Sequence, residues 1–257
     1  MKDILAPANA QVLSQLAWSN LLLAFDYDGT LAPIVPDPDK ARMRERTRDL
    51  LEQVARAYPC VVISGRSQED VLKRVRGTGV FEVIGNHGLE PWRRTEAFVN
   101  RVQGWIPVLR RHLDGIEGVV IEDKSFSVAA HYRRAASRKS ARAAIVRAAG
   151  ELDEVRVVGG KCVVNLIPRG APHKGTALEL AREHLHCDVA LYVGDDETDE
   201  DVFALDDPGR LLSIRVGLDV TSRAAFYLKN QDGIDALLAR LLALRQDQRR
   251  QDSQATR

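Results

Sequence analysis

The apolar run Leu21-Leu22-Leu23-Ala24-Phe25 stops without transition at Asp26-Tyr27-Asp28-Gly29. Five consecutive apolar residues have no polar face to offer water. They belong to a strand buried on both sides, the signature of a parallel strand inside an α/β sheet. The pattern then repeats. Beyond a Pro-rich loop, Thr47, Leu50, Leu51, Val54, Ala55 and Tyr58 recur at helical spacing, and Cys60-Val61-Val62-Ile63 runs into Ser64-Gly65-Arg66. Ser67 with Asp70 three residues on has the form of a capping box, opening a helix whose apolar stripe is Val71, Leu72 and Val75. A strand over 80–84 follows. Later, Ala177, Leu180, Ala181, His184 and Leu185 mark a helix, and 189–193 and 212–216 read as two further strands. This alternation predicts a Rossmann-like, doubly wound parallel sheet.

Between about residues 98 and 168 the rhythm changes. Segments 119–124 and 126–132 read as two tightly joined strands. A helix follows with Ala141, Ile145, Ala148, Ala149 and Leu152 on one face, then a strand over 155–158, a Gly159-Gly160 turn and a strand over 161–167. The expectation is a small antiparallel unit inserted into the core. It divides the chain into a discontinuous core domain, 1–97 plus 169–245, and an inserted domain, 98–168. Residues 246–257, rich in Gln, Arg and Asp, are expected to form a disordered tail.

Composition excludes more than it assigns. Lys and Arg number 37 against 36 Asp and Glu, so no charge imbalance advertises nucleic acid, and any charge-based function is local. Cys60, Cys162 and Cys187 are odd in number and far apart, as expected of reduced thiols. The N-terminus lacks the basic, apolar and small-residue succession of a signal peptide, and no apolar run approaches the roughly 18 residues of a membrane span. The expectation is a cytoplasmic chain with no membrane partner.

In open α/β sheets ligands bind beyond the carboxyl ends of the strands, where the winding reverses. Three predicted strands deliver reactive groups there: Asp26 and Asp28, then Ser64, then Gly194-Asp195-Asp196-Glu197-Thr198-Asp199. Lys174, at the start of the helix before the last of these strands, completes a ring of four. Asp26 and Asp28, two apart on extended backbone, project to one side, and with Asp195 they make a hard, oxygen-rich site suited to Mg2+. A divalent cation would remove the repulsion between an anionic nucleophile and an anionic phosphoryl group. Each piece has an ordinary reading too. Asp-x-Asp-Gly is often a turn, although the ligands that complete an EF-hand do not follow it. Six acidic residues among the seven from Asp195 to Asp201 also suit a helix N-terminus or a solvated surface. Ser64 also fits a simple turn, and Lys174 a surface lysine. Neither a P-loop nor a Gly-x-Gly-x-x-Gly after a strand is present.

Taken together, these residues resemble the haloacid dehalogenase superfamily of phosphotransferases, whose four motifs match Asp26-Tyr27-Asp28-Gly29-Thr30, Ser64, Lys174 and Gly194-Asp195-x-x-x-Asp199 in order. The resemblance implies that Asp26 attacks phosphorus to give an aspartyl phosphate, with Asp28 as general acid and then general base. It implies that Ser64, Gly65 and Lys174 bind phosphate. It also implies Mg2+ held by the Asp26 carboxylate, the Asp28 backbone carbonyl and Asp195, with Asp199 supporting them. The insertion is similar to the family's α/β cap.

Here the resemblance narrows to trehalose-6-phosphate phosphatases, through Ser64-Gly65-Arg66, Gly85-Asn86-His87-Gly88-Leu89-Glu90, the run from Glu122-Asp123-Lys124 to His131-Tyr132-Arg133, and the acidic run to Asp201. It implies that Glu122, Lys124 and Arg133 hold the distal sugar, although Glu122 and Lys124 also fit a cross-strand ion pair. One position departs: Asn165 stands where the family usually has Glu, a residue implied in trehalose contact. Arg66 and His87, at strand ends, fit either substrate contact or packing. The expected reaction is Mg2+-dependent hydrolysis of trehalose 6-phosphate to trehalose and phosphate, with functional coupling to a trehalose-6-phosphate synthase. The alternatives are a phosphatase for sucrose 6-phosphate, glucosylglycerol phosphate or mannosyl-3-phosphoglycerate, a phosphomutase, and a non-catalytic sugar-phosphate sensor.

Overall fold

The computed structural model describes residues 1–91, 96–205 and 209–255, with side chains through residue 247. The core sheet is built first from β1 (Lys2–Asp3), α1 (Ala10–Ala17), β2 (Leu21–Phe25), α2 (Glu45–Ala55), β3 (Cys60–Ile63), α3 (Gln68–Val75) and β4 (Glu82–Ile84). The chain then leaves the core through α4 (Glu96–Leu113), β5 (Val120–Asp123), β6 (Val128–His131), α5 (Arg138–Ala149), β7 (Val155–Gly160) and β8 (Val163–Pro168). It returns with α6 (Lys174–His184), β9 (Val189–Gly194), α7 (Glu200–Phe203), β10 (Leu211–Val216), β11 (Phe226–Leu228) and α8 (Gly233–Ala255).

Seven strands form one parallel sheet in the order β1-β11-β10-β9-β2-β3-β4. From β2 the chain winds outward through β3 and β4, and from β9 outward the other way through β10 and β11. The reversal therefore falls between β2 and β9, the place where such sheets bind ligands. The apolar run of β2 is explained by its surroundings. Leu21, Leu23 and Phe25 join one buried cluster with Leu51, Val54, Leu237 and Leu241, while Leu22 and Ala24 join another on the opposite face with Ala177, Leu178 and Tyr192. Both faces are covered, so alternation with polar residues would leave buried groups unpaired.

The inserted segment forms a four-stranded antiparallel sheet in the order β5-β6-β8-β7, with its own core of Val102, Trp105, Leu109, Val128, Ile145 and Leu166 under α4 and α5. Two details depart from the sequence reading. Gly159 and Gly160 lie within β7, and the turn falls on Lys161 and Cys162, because Gly160 pairs with Val163. The chain from 246 to Ala255 continues α8 rather than forming a tail, Gln, Arg and Ala being good helix formers; residues 256–257 lie outside the described residues. No helix among the described residues is long and apolar enough to cross a membrane.

Candidate active site

Asp26 follows β2 directly and stays in the sheet, its N–H donating to the Val193 carbonyl at 2.9 Å. Its buried carboxylate meets Lys174 at the first position of α6. The Lys174 ammonium donates to Asp26 Oδ1 at 2.8 Å and to Asp199 Oδ1 at 2.7 Å, and the side chain is only 2% exposed. Asp199 is fully engaged: Oδ1 also accepts from the Tyr192 hydroxyl at 2.6 Å, and Oδ2 accepts the N–H groups of Asp195 and Asp196 at 2.8 and 2.9 Å. These bonds and the nearby ammonium hold the Asp199 carboxyl below its ordinary range despite burial. The same two carboxylates drive the Lys174 ammonium upward, so it stays charged.

Asp195 completes a carboxylate triad with Asp26 and Asp199, one oxygen of each lying within 4.8 Å of the others. Gly29, at φ +84°, lets the loop after β2 pass over this triad, since a Cβ there would collide with the Asp195 carboxylate. Burial pushes Asp195 up to about 6 and Asp26 well above its ordinary value, the neighbouring carboxylates adding to both. Asp195 Oδ1 is buried and has no hydrogen-bond partner. Asp26 and Asp195, crowded together and both reluctant to ionise, with one Asp195 oxygen orphaned, fit a hard divalent cation such as Mg2+, and the engaged Asp199 supports them.

The Asp28 carboxylate is not part of that triad. It is held by the Arg66 fork, Nε to Oδ2 at 2.5 Å and Nη2 to Oδ1 at 2.8 Å. Arg66 is in turn fixed by Asp70 Oδ2 at 2.8 Å and the Pro38 carbonyl at 2.8 Å. Arg66 thus ties Asp28, Asp70 and the loop at Pro38 together. Ser64 follows β3, buried, its Oγ accepting the Arg66 N–H at 3.2 Å. Gly65 lies against the ring of His87.

The second ring of residues is at the seam between the two sheets. Asn86 and His87 adopt left-handed backbone, φ 47° and 59°, strain that persists where surroundings impose it. His87 is buried, with the Asn165 amide beside its ring but no partner at full hydrogen-bond geometry, and burial with Lys124, Lys174 and Arg156 nearby pushes it well below its ordinary value, so the imidazole is neutral. Lys124 reaches across from the insertion to the Gly65 carbonyl at 3.1 Å, and burial lowers its ammonium. Glu122 is 3.8 Å from Lys124, but its close partner is His131, at 2.7 Å. Asn165 is buried on β8, opposite Ala129 of β6 and Val158 of β7. Arg133 lines a seam cavity of about 400 Å³ with Asp37, Arg134 and Arg138.

Three participants were not apparent from the sequence. Lys161, in the β7–β8 turn, bonds Asp195 Oδ2, and Arg156 on β7 bonds both oxygens of Asp201 at 2.8 and 3.1 Å. Tyr192 is hidden in an apolar strand whose pattern says nothing of its hydroxyl. Six orphaned buried polar atoms, Thr30 Oγ1, Asn86 Oδ1, both His87 nitrogens, Arg156 Nη2 and Asp195 Oδ1, lie on residues of this site or its seam. Buried polar groups without partners are rare, and here they mark where a polar ligand would sit.

The family model for trehalose-phosphatase matches residues 24–223. The chain is 40% identical to a trehalose-phosphate phosphatase of Mycolicibacterium paratuberculosis over 203 residues, 73% of this chain and 52% of that protein. It spans about half the length of the curated relatives it matches. It is similar in structure to the C-terminal domain of Candida albicans trehalose-6-phosphate phosphatase, with a TM-score of 0.77 at 23% identity, covering 92% of this chain and 98% of that one. It is also similar to Aspergillus fumigatus trehalose-6-phosphate phosphatase, with a TM-score of 0.64 at 25% identity, covering 95% and 99%.

Proposed function

The chain belongs to the trehalose-phosphatase family and has the haloacid dehalogenase fold, and from that premise we propose that it hydrolyses trehalose 6-phosphate to trehalose and phosphate with Asp26 as nucleophile. The observation that supports this most is the Lys174 ammonium bridging Asp26 and Asp199 beside the orphaned oxygen of Asp195, all at the point where the sheet reverses its winding.

Lys174 holds Asp26 Oδ1, which leaves Oδ2 to attack phosphorus in line with the sugar O6. The P–O6 bond breaks as the Asp26–phosphorus bond forms, and Asp28 passes its proton to O6. Water then attacks the phosphorus, Asp28 takes up its proton, and the P–O bond to Asp26 breaks to free phosphate. In the structure Arg66 holds both Asp28 oxygens with its fork; to carry the proton Asp28 gives up one arm of that fork, and the other arm keeps it aimed. Ser64 and the Gly65 N–H meet the phosphoryl oxygens, and Lys174 offsets their charge. When bound, Mg2+ held by Asp26, the Asp28 carbonyl and Asp195 would screen phosphoryl charge from the attacking carboxylate. Asp199 serves to aim Lys174 and the backbone of Asp195.

Residues 98–168 act as the cap over a core of 1–97 and 169–245. Glu122, Lys124, Arg133, Asn165 and His87 face the sugar from cap and seam, where a neutral imidazole and an amide both donate and accept hydrogen bonds to hydroxyls. Substrate choice rests on this shell. The test is Mg2+-dependent phosphate release from trehalose 6-phosphate beside sucrose 6-phosphate, glucosylglycerol phosphate and glucose 6-phosphate, with Asp26→Asn as the blank. Preference for trehalose 6-phosphate supports the whole reading. Release from another sugar alone keeps the core chemistry and moves the specificity to Asn165, and no release from any sugar defeats the proposal.

A further inference from the structure

The β7–β8 hairpin of the cap is seated on the acidic segment that follows β9. Arg156, the second residue of β7, holds Asp201 through both carboxylate oxygens. Gly159 lies so close to the Glu197 carboxylate that a Cβ would collide with it, and a Cβ at Gly160 would crowd Asp196. At the tip, the Lys161 ammonium is bonded to Asp195 Oδ2. The first two contacts join surfaces. The third reaches into the carboxylate triad itself.

Asp195 is the one member of the triad not held by Lys174: Asp26 and Asp199 share that ammonium, and Lys161 is the ion-pair partner of Asp195 among the described residues. The two partners differ in mobility. The Asp195 side chain is 1% exposed and fixed by the loop around it, whereas the Lys161 side chain is 51% exposed on a two-residue turn and carries a flexible four-carbon stem. An ammonium on one oxygen of Asp195 and a divalent cation on the other would repel at close range in a buried site. At Asp26 the sealed Lys174 shares its charge with Asp199 and stays in place, whereas Lys161 is paired with Asp195 alone and has solvent to retreat into, so at Asp195 it is Lys161 that gives way.

We infer that Lys161 is a positioning residue of the active centre, a surrogate cation that neutralises Asp195 while the cap is shut and the divalent ion is absent, and that ion and cap compete for this carboxylate. The inference rests on the metal reading of Asp195 given above. Coupling of this kind is reciprocal: what Lys161 costs the ion in affinity, the ion costs the cap in closure.

The experiment is titration of Mn2+ into the purified full chain without substrate, free Mn2+ being followed by electron paramagnetic resonance, for wild type, Lys161→Gln, Lys161→Met and Lys161→Arg. If the Lys161-capped form makes up about nine-tenths of the free protein, its removal tightens the apparent affinity about tenfold, and Lys161→Arg stays near wild type. Thermal midpoints read alongside verify that each variant is folded, and the two uncharged variants, differing in polarity, guard against an effect of either replacement alone. Equal or weaker Mn2+ binding in both uncharged variants, with wild type binding normally, overturns the inference and leaves the metal reading standing. Failure of every protein to bind Mn2+ overturns both.

Discussion

Replacing Lys174 by methionine keeps the aliphatic stem and removes the ammonium that Asp26 and Asp199 share. The side chains of all three are nearly sealed from water, at 2%, 6% and 0% exposure. Taking one partner from a buried ion pair costs about 3–5 kcal/mol, because the remaining charge stays desolvated without compensation. A domain of this size holds about 5–15 kcal/mol in all, so the loss is a large fraction of its stability. With about 2–4 °C per kcal/mol for chains of this length, the midpoint of thermal unfolding falls by about 6–20 °C.

The pH dependence gives a second check. In the wild type Asp199 is lowered, so its contribution is present above the ordinary carboxylate range and is lost only as pH falls through its lowered value. Lys174 is raised, so its contribution is complete below the ordinary lysine value and is lost only above it. Neither changes between pH 5.5 and 8. In Lys174→Met the opposing cation is gone, so Asp26, already raised by burial in the wild type, and Asp199, lowered there, both move up, and the folded state takes up more protons than wild type as pH falls. The deficit therefore shrinks from pH 8 to pH 5.5, as read by calorimetry in EDTA. A midpoint within about 2 °C of wild type at pH 8, or a deficit unchanged at pH 5.5, refutes the reasoning.

Metal removal has its own signature. Asp195 is raised to about 6, so its protonation stabilises the metal-free fold fully below the ordinary carboxylate value, and that stability is lost as pH rises through about 6. Protein in EDTA is expected to gain stability from this group between pH 7.5 and 5, and saturating Mg2+ is expected to raise the midpoint at pH 7.5 and flatten the trend, which a thermal-shift grid of pH against Mg2+ would reveal. Gly159→Ala meets only the tip of the exposed, flexible Glu197 side chain, which can swing aside; kcat/KM and the unfolding midpoint are expected to stay near wild type, checked by steady-state kinetics beside calorimetry. Asn165→Glu restores the family's residue beside His87 and is expected to raise kcat/KM for trehalose 6-phosphate relative to sucrose 6-phosphate, measured by phosphate release.

The core was legible because its strands are buried on both faces: runs such as Leu21–Phe25 and Cys60–Ile63 have one physical reading, and their abrupt ends located Asp26 and Ser64. The helix Glu96–Leu113 was missed because Pro107 and Gly104 interrupt a stripe of Val102, Trp105 and Leu109 that only the cap core reveals. The turn expected at Gly159-Gly160 lies two residues further on, at Lys161-Cys162, for a tertiary reason. The two glycines suggest a bend, but they serve the approach of Glu197 and Asp196 from the segment that follows β9. The pairing of Arg66 with Asp28 spans 38 residues and that of Lys161 with Asp195 spans 34, distances at which spacing carries no signal. Glu122 illustrates the same limit, since its nearest partner, His131, lies on the adjoining strand and not at Lys124.

The central claim is that Asp26 carries the phosphoryl group in transit. It is tested most directly by mixing Asp28→Asn protein with trehalose 6-phosphate labelled in its phosphate and Mg2+, quenching in acid, and mapping the label by peptide mass. Label is expected on the peptide containing Asp26, none in Asp26→Asn, and none when Mg2+ is chelated. Label on another residue, or full turnover by Asp26→Asn, would contradict it.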